Sequence, residues 1–145
     1  MRLSLPCHLW IGLCLLACGG GDSDDGLVEP VSLQVGGTWS ETAEVVSDPC
    51  DLIDRLDVLA RNVRLSQVGI QLTLIHEGAE LGIGSLTPST GDFVLSGAYV
   101  VDNLGVRFTR RGNFSSPTRF TATSDILVEG GFFTCEIRTE DEGVR

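Results

Sequence analysis

Among the residues whose chemistry could carry a function, Arg110 and Glu41 stand out, because each shares a strand parity with apolar neighbours. Arg110 alternates in step with Val106, Phe108 and Phe114, and Glu41 with Trp39, Ala43 and Val45. A charge on an apolar face costs on the order of several kcal/mol unless it is paired and hydrogen-bonded. Two readings follow. In the first, the two residues form a structural ion pair or find other partners, or a local bulge turns Arg110 outward. In the second, Trp39, Glu41, Tyr99 and Arg110 line an interior pocket that receives an anionic or polar ligand.

Other reactive groups are sparse. Beyond residue 17 the chain has one histidine, His76, which excludes a multi-histidine metal site and leaves a single candidate imidazole base. His76 falls at the end of a strand pattern beside a turn, as an ordinary exposed residue does. There is no Gly-x-Ser-x-Gly elbow, no Cys-x-x-Cys pair and no phosphate-cradling glycine loop. Gly82-x-Gly84 lies inside a strand pattern and fits a bulge or bend. Asp22, Asp24 and Asp25 lack the turn glycine and distal glutamate of a calcium loop. No catalytic residue, cofactor site or metal site is therefore expected, and the chain reads as non-enzymatic.

The elements that must position these residues are strands. Alternation of apolar and polar residues over 38–46 predicts a half-buried strand. Asp48-Pro49 reads as a helix N-cap with proline at the first helical position, which predicts a short helix or helical turn over 49–57. From there alternating segments recur at short intervals. Their inward sets are Leu59, Val63 and Leu65; Ile70, Leu72 and Leu74; Phe93, Leu95, Gly97, Tyr99 and Val101; Val106, Phe108 and Phe114; Phe120, Ala122, Ile126 and Val128. Turn chemistry separates them at Val68-Gly69, Glu77-Gly78, 87–91, 102–105, 115–117 and 129–131. A final strand over 132–139 precedes an acidic, frayed tail, 140–145. This pattern predicts an all-β domain over 35–139, an antiparallel up-and-down meander of about eight strands. Such a sheet closes into a small barrel or, alternatively, folds into a β-sandwich. No long crossover is visible, which favours the barrel.

The N-terminus has a different character. Arg2 precedes an apolar run, residues 9–17, far shorter than the ~20 residues that a membrane-spanning helix needs. The run ends in Leu15-Leu16-Ala17-Cys18 and resembles the signal peptide and lipobox of bacterial lipoproteins. The resemblance implies removal of residues 1–17 and lipidation of Cys18, with the membrane as the partner of its acyl chains. Gly19 after the cysteine, in place of aspartate, points to the outer membrane. Residues 18–34, rich in Gly and Asp, then form a flexible tether; its stretch 19–30 spans roughly 20 Å r.m.s..

Of five cysteines, that processing removes Cys7 and Cys14 and lipidates Cys18. Cys50 and Cys135 remain, and in an exported protein they are expected to form a disulfide, with two buried free thiols as the alternative. Barrel closure would bring first and last strands, and hence this pair, together. The chain has no lysine and a net charge of −10. It has no basic stripe, so nucleic acid is not an expected partner.

Gly37-Thr38-Trp39 at the start of the meander resembles the calycin group, the lipocalins, avidins and fatty-acid-binding proteins. That resemblance implies a tryptophan plugging one barrel end and an arginine of the last strand across it, for which Arg138 is the candidate. The barrel pattern and its interior aromatics lead to the expectation of a small apolar or amphipathic ligand. The competing expectation is a module that binds another envelope protein. Small periplasmic protease inhibitors share the compact barrel, and act through a segment that corresponds to 27–35.

Overall fold

The computed structural model describes residues 32–56 and 60–145. The expected signal segment, Cys18 and the expected tether up to residue 31 lie outside the described residues, as does Leu59. Eight strands follow one another: β1 (Gly37–Ser47), β2 (Ala60–Val68), β3 (Gln71–His76), β4 (Ala79–Leu86), β5 (Asp92–Val101), β6 (Leu104–Ser116), β7 (Arg119–Glu129) and β8 (Thr134–Val144). Each pairs antiparallel with the next, and β8 pairs back onto β1, so the sheet closes into a barrel and not a sandwich. Closure removes both sheet edges and turns the period-2 alternation into an inside and an outside.

Local chemistry shapes the wall. Asp102 and Asn103 both have positive φ, 48° and 63°, and make a two-residue hairpin whose twist matches that of β5 and β6. β6 therefore begins at Leu104, within the expected turn. Gly84 and Gly97 let β4 and β5 coil tightly: a Cβ at either would sit 1.8 Å from a carbonyl oxygen of the neighbouring strand.

One end of the barrel is filled by aromatic rings. Trp39, Phe93, Phe114 and Phe120 pack with centroids 4.7–5.6 Å apart in tilted and edge-on arrangements. The Trp39 indole N–H donates to the Val35 carbonyl at 3.0 Å. Gln67 straps the incoming chain, donating to the Leu33 carbonyl at 2.9 Å and accepting from the Val35 N–H at 2.7 Å. Leu33, expected in the tether, accordingly packs against the core.

The other end is closed by the connection from β1 to β2. Leu52, Ile53 and Leu56 are buried, and one turn of 3₁₀ helix covers Ile53–Arg55. The expected helix over 49–57 shrinks to this turn because Asp51 takes a left-handed conformation, φ 55°. Asp48 still does a cap's work: its carboxylate accepts from the N–H groups of Leu52 and Ile53, both at 2.8 Å. Cys50 and Cys135 form a disulfide beside it, with Cα atoms 6.3 Å apart.

Three expectations are corrected. Residues 140–144 are not a frayed tail but the second half of β8, paired with β1 and β7. Alternation persists there, yet its inward positions are Asp141 and Gly143, so it carries no apolar signal; the Phe120 ring occupies the space that a side chain at 143 would take. Ile70 is exposed, because it belongs to the β2–β3 turn. Val45 is also exposed, because β1 bulges between Val45 and Ser47.

Candidate functional site

Between the two apolar ends, a belt of charged and hydroxyl side chains crosses the lumen. Strand register places its members at one level. Glu41 of β1 lies opposite Arg61 of β2. Arg110, Ser124 and Thr139 form a row across β6, β7 and β8. Asp141 follows Thr139 on the inward face of β8.

Arg110 is the hub. Its Nη1 donates to Glu41 Oε1 at 2.9 Å, a contact between non-neighbouring strands that spans the barrel interior. Its Nε lies 3.0 Å from Ser124 Oγ and 3.1 Å from Asp141 Oδ2. Arg61 Nε donates to the second oxygen of Glu41 at 3.2 Å. Thr139 Oγ1 donates to Asp141 Oδ1 at 2.8 Å, and Ser124 donates a short bond to the other oxygen of Asp141. The four ionic side chains are only 3–7% exposed. Two guanidinium groups face two carboxylates, and no buried side-chain nitrogen or oxygen among the described residues lacks a partner. A network in which every fully buried polar atom is satisfied rigidifies the core.

Beside the belt lies a cavity of about 10 Å³, lined by Arg61, Tyr99, Phe108, Arg110, Ser124 and Asp141 among others. That is room for about one water. Of the four residues expected in a pocket, Glu41 and Arg110 meet as an ion pair, and Tyr99 lines this small cavity. Trp39 stands apart in the aromatic end. The ion-pair reading of the sequence is the one the geometry supports.

Arg61, Ser124, Thr139 and Asp141 were not singled out by the sequence reading. A signal existed for two of them: Arg61 has the parity of Val63 and Leu65, and Asp141 that of Cys135 and Ile137.

On the outside, β6, β7 and β8 form an open groove of about 780 Å³, with Arg107, Thr109, Asp125, Leu127, Glu136 and Arg138 on its floor. Its central charges, Arg138 and Asp125, pair with each other. Arg138 Nε is 3.1 Å from Asp125 Oδ1, and Arg111 Nη1 is 3.5 Å from Asp125 Oδ2. Arg138 thus faces outward and does not cross Trp39. Arg145 takes that place, with its guanidinium 6.0 Å from the ring centroid and 2.6 Å from the Gly36 carbonyl. At the edge of a second shallow depression, Asp92 is held below the ordinary carboxylate range by hydrogen bonds from the Thr90 hydroxyl and the Asn113 amide.

His76 Nδ1 lies 3.0 Å from the Asn62 carbonyl oxygen. Among the described residues no group of three or more His, Cys, Asp or Glu side chains could hold a metal ion. Nor is any helix among them long and apolar enough to cross a membrane. No family model, curated protein or solved structure matches the chain.

Proposed function

We propose that the chain is a lipid-anchored bacterial envelope protein whose small barrel serves as a non-catalytic interaction module, not as a carrier. The observation that carries this reading is the filled lumen. Leu72, Leu74, Leu95, Ile137 and the aromatic rings occupy the interior, and the cavity beside the charge belt is about 10 Å³. Ligand sites for small molecules run to about 300–1,000 Å³. Recognition then falls to the outer wall and the loops. The lipobox-like Leu15-Leu16-Ala17-Cys18 supports anchoring through acyl chains on Cys18, and Gly19 supports the outer membrane.

Mass spectrometry of the protein purified natively from membranes tests both halves. The expected species begins at residue 18, carries acyl chains on Cys18 and retains no stoichiometric small molecule. A species without lipid overturns the anchor, and a retained apolar or amphipathic ligand restores the carrier reading. Cys18→Ala should move the protein from the membrane to the soluble fraction.

A further inference from the structure

We infer that the disulfide end of the barrel is the docking surface, and that its partner is a protein offering an apolar pocket ringed by lysine or arginine, with Phe132 as the anchor. The inference rests on the interaction-module reading and specifies which surface acts.

Phe132 is fully exposed at the tip of the β7–β8 loop, and Phe133 beside it is 44% exposed. Neither ring belongs to the core, so folding does not account for two adjacent phenylalanines here. The loop that carries them is braced. The Gly130 N–H donates to the Phe133 carbonyl at 3.0 Å. The Phe133 ring lies so close over Gly130 that a Cβ there would come within 2.3 Å of it. Cys135, two residues on, is bonded to Cys50. Val100, next to last in β5 and beside the neighbouring β5–β6 turn, is 76% exposed. A large aromatic presented on a held loop loses little entropy on binding, and such residues dominate binding energies.

The surroundings define the partner. Asp51, Asp54, Glu77, Glu80 and Asp102 ring this end and are exposed. Its arginines are already taken up: Arg55 by Asp102 at 3.6 Å and Arg107 by Glu129 at 2.7 Å. The Trp39 end instead carries three exposed arginines, Arg64, Arg119 and Arg145, against two exposed carboxylates, Asp92 and Glu142. An apolar anchor in an acidic frame is complementary to an apolar pocket with a cationic rim. It is poorly suited to an anionic membrane surface. The attachment point agrees, because the chain leading back toward Cys18 leaves the barrel at the Trp39 end, where Gln67 holds Leu33. The acidic end is the pole opposite Leu33.

The test uses the full-length lipidated chain in its own host, with a photo-crosslinking phenylalanine at position 132 and, separately, at position 123 in the outer wall. Position 132 is expected to crosslink to one protein. That protein, purified, should bind the wild-type chain, bind Phe132→Ala at least about tenfold more weakly, and lose affinity as salt rises. Phe132→Ala should unfold at the wild-type temperature, since its ring touches no core residue. Crosslinking from position 123 alone overturns this surface and leaves the interaction-module reading standing; crosslinking to no protein from either overturns both. Binding to phosphatidylcholine or phosphatidylglycerol vesicles that Phe132→Ala abolishes makes a membrane the occupant and overturns the inference. So does a partner whose affinity is indifferent to salt or to Phe132→Ala.

Discussion

The two ends of the barrel are closed by different physics. At the Trp39 end four aromatic rings interlock within 4.7–5.6 Å, and the plug is held by non-covalent contacts alone. At the other end three aliphatic side chains of a short turn fill the mouth, and the Cys50–Cys135 bond ties that turn to β8. Aromatic burial supplies enough area and directional packing to seal an end without a covalent link. A turn of a few residues does not, and it is braced by the disulfide and by Asp48. The comparison extends to charge: at the aromatic end Arg64, Arg119 and Arg145 offset Asp92 and Glu142, whereas at the stapled end carboxylates outnumber the arginines Arg55 and Arg107. One end is sealed by packing where the chain enters the barrel, and the other is held by a covalent staple.

Perturbations can break or sharpen this contrast. The largest effect is expected between the ends. Arg110→Met leaves Asp141 without a counter-charge and Glu41 with Arg61 alone, and breaking a buried pair costs about 3–5 kcal/mol. Urea unfolding should show a loss of at least this size; a near-wild-type midpoint would mean that water reaches the belt. Trp39→Ala should cost about 3–5 kcal/mol through the cavity it leaves. Hydrogen exchange in that variant should accelerate first at the aromatic end. Replacing Cys50 and Cys135 together by alanine should cost about 2–4 kcal/mol. If the ends are sealed independently, the faster exchange is confined to the β1–β2 connection and the start of β8. Asp48→Ala removes the acceptor of two backbone donors and should cost about 1 kcal/mol by thermal or urea unfolding. The smallest effect is Arg145→Met, where loss of an exposed cation over Trp39 should cost about 0.5–1 kcal/mol. A much larger effect there would show that Arg145 is part of the plug and not a lid on it.

Much of this architecture was legible in the residues. Most of the inward sets from Val63 to Ile137 alternate as read, Ile70 excepted, and turn residues mark nearly every reversal. The final half-strand was not legible, because Asp141 and Gly143 occupy inward positions that an apolar reading skips. The 3₁₀ turn was read too long for a related reason. Pro49 and the leucines after it satisfy a helical pattern, but one left-handed residue, Asp51, ends it. The candidate site was half legible: Arg110 and Glu41 betrayed themselves as charges on apolar faces. Arg61 and Asp141 carried the same mark where the surrounding apolar signal was thinner.

By itself, the sequence determined which face most strand residues take, because side-chain direction alternates with a period of two whatever lies across the barrel, except where a bulge or turn intervenes, as at Val45 and Ile70. It also settled where the chain reverses, and it left Cys50 and Cys135 as a pair that closure would bring together. Only the tertiary structure decided which inward residues meet. Arg110 reaches Glu41 across 69 residues of sequence because closure and shear bring β6 opposite β1. Arg145, not Arg138, lies over Trp39 because β8 extends five residues beyond the end of its apolar signal, to Val144. Whether the lumen is hollow or filled depends on the summed volumes of side chains from eight strands. No single segment carries that sum, and here it leaves room for about one water.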